Sequence, residues 1–287
     1  MAAIDEAVAL GVTMLDTAEV YAAGASETII GRWLVTRPRS TAAAVRIATK
    51  VAPPWFHNRD ERLDSAYIAP AFERSLERLG TDRVELLMIH APDDTTPVED
   101  TIEALEAIRA SGRAVRVGAC NLDVAHLHAA LDAAEKLGVA GYQVIQNGFN
   151  LLFVNQDRDV QAICAERGLA YTAYSPLAGG VLTGKYRPGE PPPEGTRLAT
   201  FPQGYPELLT PAVYDAIDHL RRAAIERGSS CGALALAWLL HHDAVTACIP
   251  GPARTAPHLA AAQEALRCEL EADLHAAITD WFLTALA

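Results

Sequence analysis

The feature that most constrains this chain is an alternation. Short apolar runs, rich in Val, Ile and Leu, are separated by longer amphipathic segments. The runs are VTMLDT (12–17), VRIATKV (45–51), VELLMIH (84–90), AVRVGACN (114–121), YQVIQN (142–147), LAYTAYS (169–175) and VTACIP (245–250). They show little polar–apolar alternation, as strands buried on both faces do. Between them, SAYIAPAFERSLERLG, PVEDTIEALEAIRASG and DVAHLHAALDAAEKLG read as helices. Each closes on a glycine suited to a left-handed cap (Gly80, Gly112, Gly138). Strand–helix repetition without a linker predicts parallel strands and right-handed crossovers. The expectation is a single α/β domain over 1–287, a (β/α)8 TIM barrel.

Seven runs are one short of a closed barrel. The opening AAIDEAVALG reads as the helix between barrel strands one and two, so the N-terminal hairpin and first strand are missing from the pattern. An open doubly wound sheet is the alternative. The residues at the strand ends favour the barrel, because barrel chemistry sits there.

Asp16 ends the first run, and Tyr21 lies in the loop after it. Lys50 ends VRIATKV and His90 ends VELLMIH. Taken singly, each has an ordinary explanation: a cap, a surface aromatic, a solvated lysine, a core histidine. Taken together at one edge of the strands, they make a proton donor. A tyrosine hydroxyl, with a pKa of about 10, is a poor acid near neutrality. A nearby ammonium favours the phenolate, and Lys50 can supply it, with Asp16 orienting Lys50. His90 can polarise a carbonyl beside Tyr21. A carbonyl so held still needs hydride, which a nicotinamide cofactor supplies.

The formal charge of −12 argues against nucleic acid and anionic membranes as partners. No run is long enough to span a bilayer, and the first residues do not resemble a secretion signal. Five scattered cysteines without a C-x-x-C pair suit a reducing cytoplasm and give no metal site. His241 and His242 read as the close of a helix rather than as ligands.

LDTAEVY, IATK, LERLGTDRVELLMIHAPD, AYSPLAGGVLTGKY and ALAWLL…IPG resemble the aldo-keto reductase superfamily, in order, over nearly the whole chain. The region from Asp16 to Gly31, with HAPD and PLAGGVLTGKY, looks most like the aflatoxin-aldehyde reductase branch. The tail is closer to bacterial members. The resemblance implies a catalytic tetrad of Asp16, Tyr21, Lys50 and His90. It implies NADP(H) as cofactor, with Asn121 and Gln146 at the nicotinamide carboxamide and Tyr174 stacked on the ring. Ser175, Leu177 and Gly179 would line the pyrophosphate path. Gly251 and Arg254 would meet the adenosine end, with His258 in the family's Gln position. Cys120 departs from the family's usual Ser or Thr.

The implied reaction is reduction of a small-molecule aldehyde or ketone. Trp55 and Phe56 are candidates for the substrate wall, as are the Pro/Gly-rich 183–210 segment and, in the tail, Trp281 and Phe282. Self-association stays open. A nicotinamide-nucleotide-binding module that acts through partners and turns over weakly is the alternative function. The missing strand would expose sheet edges. It fits a truncated start best; a covering chain or C-terminal helix, or a remodelled barrel, would also account for it. A chain of low stability and weak activity is therefore expected.

Overall fold

The computed structural model describes residues 1–52, 62–201, 205–253, 257 and 259–287. Seven strands run through it: β1 (Met14–Asp16), β2 (Arg46–Val51), β3 (Val84–Ile89), β4 (Ala114–Cys120), β5 (Val144–Gly148), β6 (Ala170–Tyr174) and β7 (Ala247–Ile249). All seven apolar runs are strands. Hydrogen bonding orders them in one sheet as β1-β2-β3-β4-β5-β6-β7, with parallel pairing. Strand–helix alternation in chain order is (β/α)8 TIM-barrel topology, here with seven strands among the described residues.

The helices form where their sequences provide both an apolar stripe and end signals. Helix Ser65–Leu79 is capped by Asp64, whose side chain accepts from the backbone of Ala66 and Tyr67. It stops at Gly80 in the left-handed region, φ 63°. Helix Val124–Leu137 repeats the scheme with Asp123 and Gly138. Helix Cys231–Leu240 starts at Ser230 and closes at His241, as the sequence indicates.

Packing divides the chain into two compact units. The first comprises Met1–Gln146 and Ile163–Ala170, the second Asn147–Ala162 and Tyr171–Ala287. In the first, one face of β2–β5 carries Ala48, Leu86, Met88, Cys120 and Val144 as a buried cluster. Register puts these chains side by side: Ala48 beside Leu86, Met88 beside Gly118, Gly118 beside Val144. Gly118 is needed there, since a Cβ would lie 2.3 Å from the Val144 carbonyl oxygen. On the outside, helix Ala25–Thr36 packs on helix Ser65–Leu79 through Gly31. A Cβ at Gly31 would lie 2.5 Å from the Arg78 carbonyl oxygen.

Beside that contact lies an ion pair whose acid is buried and whose Arg78 is partly exposed. Glu27, wholly buried, accepts from Arg78 Nε at 2.6 Å and from Thr49 Oγ1 at 2.5 Å. Asp5 of the first helix likewise accepts from Trp33 Nε1 and from Arg37 Nε, each at 2.7 Å.

In the second unit, Trp238 and Phe282 are fully buried, and the Trp238 ring stacks on His275 at 5.5 Å between centroids. Phe282 therefore belongs to the core and not to a substrate wall; its place on helix Ala272–Leu286 turns it inward. Within the 183–210 segment, Tyr186 ties Leu198 to the turn at Gly179. Its hydroxyl donates to the Gly179 carbonyl at 3.2 Å and accepts from Leu198 N at 3.3 Å. Arg197–Thr200 within the segment is a short helix.

Candidate active site

Side chains alternate along a strand, so residues two apart share a face. On the face of the buried cluster, one step toward the C-terminal ends changes its character. Ala48 is followed by Lys50, Gly118 by Cys120 and Val144 by Gln146, while Met14 is followed by Asp16. The apolar layer thus gives way to polar and ionisable groups, with Cys120 belonging to both. His90 follows β3 directly, its N–H bonded to the Val51 carbonyl at 2.8 Å.

Lys50 is 1 % exposed, and its ammonium is met from two sides. It donates to Asp16 Oδ1 and, at 3.1 Å, to the Thr17 carbonyl. A buried charge persists only when paired in this way. Burial acts to lower the Lys50 pKa, but the Asp16 carboxylate and the other nearby groups outweigh it and the net direction is upward. Lys50 is an ammonium ion over the whole neutral range.

Tyr21 stands beside it. The Lys50 nitrogen is 5.2 Å from the Tyr21 ring centre, and the hydroxyl feels its positive charge. Tyr21 is 37 % exposed. Burial still pushes its hydroxyl above the ordinary value, with Lys50 pulling the other way. The lowered phenol pKa inferred from the sequence is therefore not present here; burial is the larger influence, and the ammonium limits the rise.

His90 meets the Tyr21 ring edge-on, centroids 5.6 Å apart. It is 6 % exposed, and burial followed by the Lys50 charge lowers its pKa to about 4. The imidazole is neutral at pH 7. It can donate one hydrogen bond without carrying charge.

The loop bearing Tyr21 is pinned at several points. Thr17 Oγ1 donates to Ser26 Oγ at 2.8 Å, and Glu19 Oε1 accepts from Ala52 N at 2.9 Å. Ala22 and Ala23 take left-handed backbone, φ 50° and 53°, a conformation costly for residues with a Cβ.

Asn121 also lies in the left-handed region, φ 59°, which asparagine tolerates. Its N–H donates to the Gln146 carbonyl at 3.1 Å and its side chain to the His90 carbonyl at 2.7 Å. Gln146 donates from Nε2 to Asp16 Oδ2 at 3.0 Å. Cys120 lies beside it, Sγ 3.7 Å from Gln146 Oε1, and burial pushes the thiol up to about 12. The contacts of Gln146 and the Thr17 carbonyl were not visible in the sequence; no periodicity links residues 130 positions apart.

The second unit holds the other residues singled out. Tyr174 ends β6, and its ring lies over Gly148, where a Cβ would come within 3.1 Å of it. The turn that follows has Ser175, Ala178, Gly179 and Gly180 in the left-handed region. Within the turn, the Ala178 and Gly180 N–H groups donate to the Ser175 and Leu177 carbonyls at 2.9 and 2.8 Å. Leu177 packs against the cluster of Ala233, Leu236 and Ala237. Gly251 is exposed. Trp55, Phe56, Arg254 and His258 lie outside the described residues. Among the described residues, no group of His, Cys, Asp and Glu is placed to hold a metal ion. Nor is any helix there long and apolar enough to cross a membrane.

Comparison with known proteins extends this picture. The sequence matches the aldo/keto reductase family over residues 1–281. It is 30 % identical over 249 residues to a probable voltage-gated potassium channel subunit beta of Arabidopsis thaliana, covering 85 % of this chain and 75 % of that one. It is 36 % identical over 177 residues to the human aflatoxin B1 aldehyde reductase member 4, covering 62 % of this chain and 52 % of that one. Among solved structures, it resembles the glycerol dehydrogenase AKR11B4 from Gluconobacter oxydans, with a TM-score of 0.83 and 26 % identity, over 99 % of this chain and 85 % of that one. With its strand order, its ionisable layer and a family match over nearly all its length, the chain belongs to the aldo/keto reductase family, whose chemistry is carbonyl oxidoreduction with nicotinamide cofactors.

Proposed function

We propose that this protein reduces an aldehyde or ketone to the alcohol with NADPH, in the cytoplasm, with Tyr21 as the proton donor. The observation that carries this reading is the buried, Asp16-paired Lys50 ammonium beside the Tyr21 phenol, with a neutral imidazole edge-on to the same ring.

The donors present suit the cofactor. Asn121, just after β4, and Gln146, within β5, are amides able to meet a carboxamide. In the second unit, Tyr174 offers a ring, and the turn with Ser175, Leu177 and Gly179 offers N–H groups suited to phosphate oxygens. Gly251, Arg254 and His258 are assigned the adenosine end. Arg254, a guanidinium able to pair bidentately with a 2′-phosphate, is the reason for naming NADPH. When bound, reduced nicotinamide supplies hydride to the carbonyl carbon.

The chain's own part is the proton. The carbonyl oxygen accepts hydrogen bonds from Tyr21 and from the N–H of neutral His90. As negative charge grows on that oxygen, Tyr21 releases its proton to it, and Lys50 stabilises the phenolate left behind. Lys50 keeps its own proton because Asp16 holds the ammonium. Trp55 and Phe56 are assigned to the substrate wall.

Tyr21→Phe removes the proton and little else. It is expected to lower kcat about 100-fold or more with small aldehydes while leaving NADPH binding unchanged. Equal rates in the two proteins would remove Tyr21 as the acid.

A second reading has one observation in its favour, the likeness to a protein named as a channel subunit. In it the chain binds nicotinamide nucleotide, turns over weakly and acts through a partner. NADPH fluorescence quenching without turnover across an aldehyde and ketone panel would select this reading.

A further inference from the structure

Asp16 has two carboxylate oxygens, and the structure uses both. Oδ1 meets the Lys50 ammonium, and Oδ2 accepts from Gln146 Nε2 at 3.0 Å. The direction of the Gln146 amide follows from its neighbours. An ionised carboxylate only accepts hydrogen bonds, so the NH2 end must face Asp16. The carbonyl end faces Cys120 Sγ at 3.7 Å, where a protonated thiol is the donor. Cys120 and Gln146 are partners in the β4–β5 register, which fixes this pairing through the backbone. Gln146 is 3 % exposed and Cys120 1 % exposed. A polar chain thus runs through the buried layer, from the Cys120 thiol to the Gln146 amide, the Asp16 carboxylate and the Lys50 ammonium, which lies beside the Tyr21 ring.

We propose that Gln146, beyond any contact with the cofactor, is the positioning residue for Asp16, holding the carboxylate on Lys50 and so setting how strongly Lys50 acts on Tyr21. The proposal rests on the reading of Tyr21 as the proton donor. It differs from a carboxamide contact alone in what its loss would change. A lost cofactor contact weakens NADPH binding. A lost hold on Asp16 lowers the rate at saturating NADPH and alters its pH dependence.

Two substitutions separate these effects. Gln146→Met keeps the length and removes the donor. Gln146→Glu keeps the shape, and donates to Asp16 only when protonated. Its pKa should be raised by the facing carboxylate. At saturating NADPH, kcat of Gln146→Met should fall about tenfold or more across the pH range. Gln146→Glu should be equally impaired at pH 8 and recover as the pH falls and the glutamic acid takes over the amide's role. NADPH affinity, read by fluorescence quenching, separates a binding loss from this effect. Unchanged kcat at saturation in both variants, or loss in Gln146→Glu with no recovery in acid, overturns the proposal.

Should the wild-type protein itself show no turnover, the fault lies with the functional reading, and the proposal is read without activity. NMR of 13C-tyrosine-labelled protein, with Tyr21 assigned through Tyr21→Phe, reports the phenol's titration. Gln146→Met should move it by about half a unit or more; an unmoved titration overturns the proposal.

Discussion

His90 illustrates how burial can set a protonation state. In the unfolded chain an imidazole takes up a proton near pH 6.5; in the fold His90 does so only near 4. Between those values the unfolded state binds the extra proton, so stability must fall as the pH falls. From pH 7 to pH 5 this one group should cost about 2 kcal/mol of folding free energy. Urea titrations of wild type and His90→Gln at both pH values check this. The variant should lack that part of the slope, and parallel losses in the two proteins would contradict it. Residue by residue, much of the site was legible. Asp16, Lys50 and His90 each close an apolar run, and a polar residue two places beyond a buried one reads directly as the next layer on the same face. The pairings among them were not legible. Nothing in the sequence marks Gln146 as the partner of Asp16, or Glu27, an ordinary first-turn acid by position, as wholly buried against Arg78.

At the scale of elements, the strands were easiest to read, because burial on both faces leaves a continuous apolar run. Their lengths were not, since a residue joins the ladder only where a neighbour reaches it. β1 spans three residues of its six-residue run because it pairs with β2 only from Met14 to Asp16. Helix contacts were hidden for a related reason, being set by single small residues. Gly31 shows the cost. Gly31→Ala gains about 1 kcal/mol of helix propensity, but its Cβ would press on the backbone of helix Ser65–Leu79, where no flexible side chain can yield. Overpacking of this kind costs about 1–3 kcal/mol. Net destabilisation of up to about 2 kcal/mol is expected in urea unfolding, and a stabilised variant would show that the two helices part more easily than their contact implies.

For the whole molecule, the pinned loop has a consequence for how function is lost. The phenol rides on a segment with two alanines in left-handed backbone, each costing about 1–2 kcal/mol. That strain persists only while Ser26, Ala52 and their partners hold the loop in place. Modest perturbation should release it long before the sheet below comes apart, because a strained surface segment opens locally at a lower free energy than the buried strands. In rising urea, turnover should therefore disappear at a lower concentration than the fluorescence change of Trp33, which is fully buried in the same unit. Coincident midpoints would show that loop and sheet fail together. If they separate, the protein has a dormant form: intact in its core, silent in an assay, and revived by dilution alone.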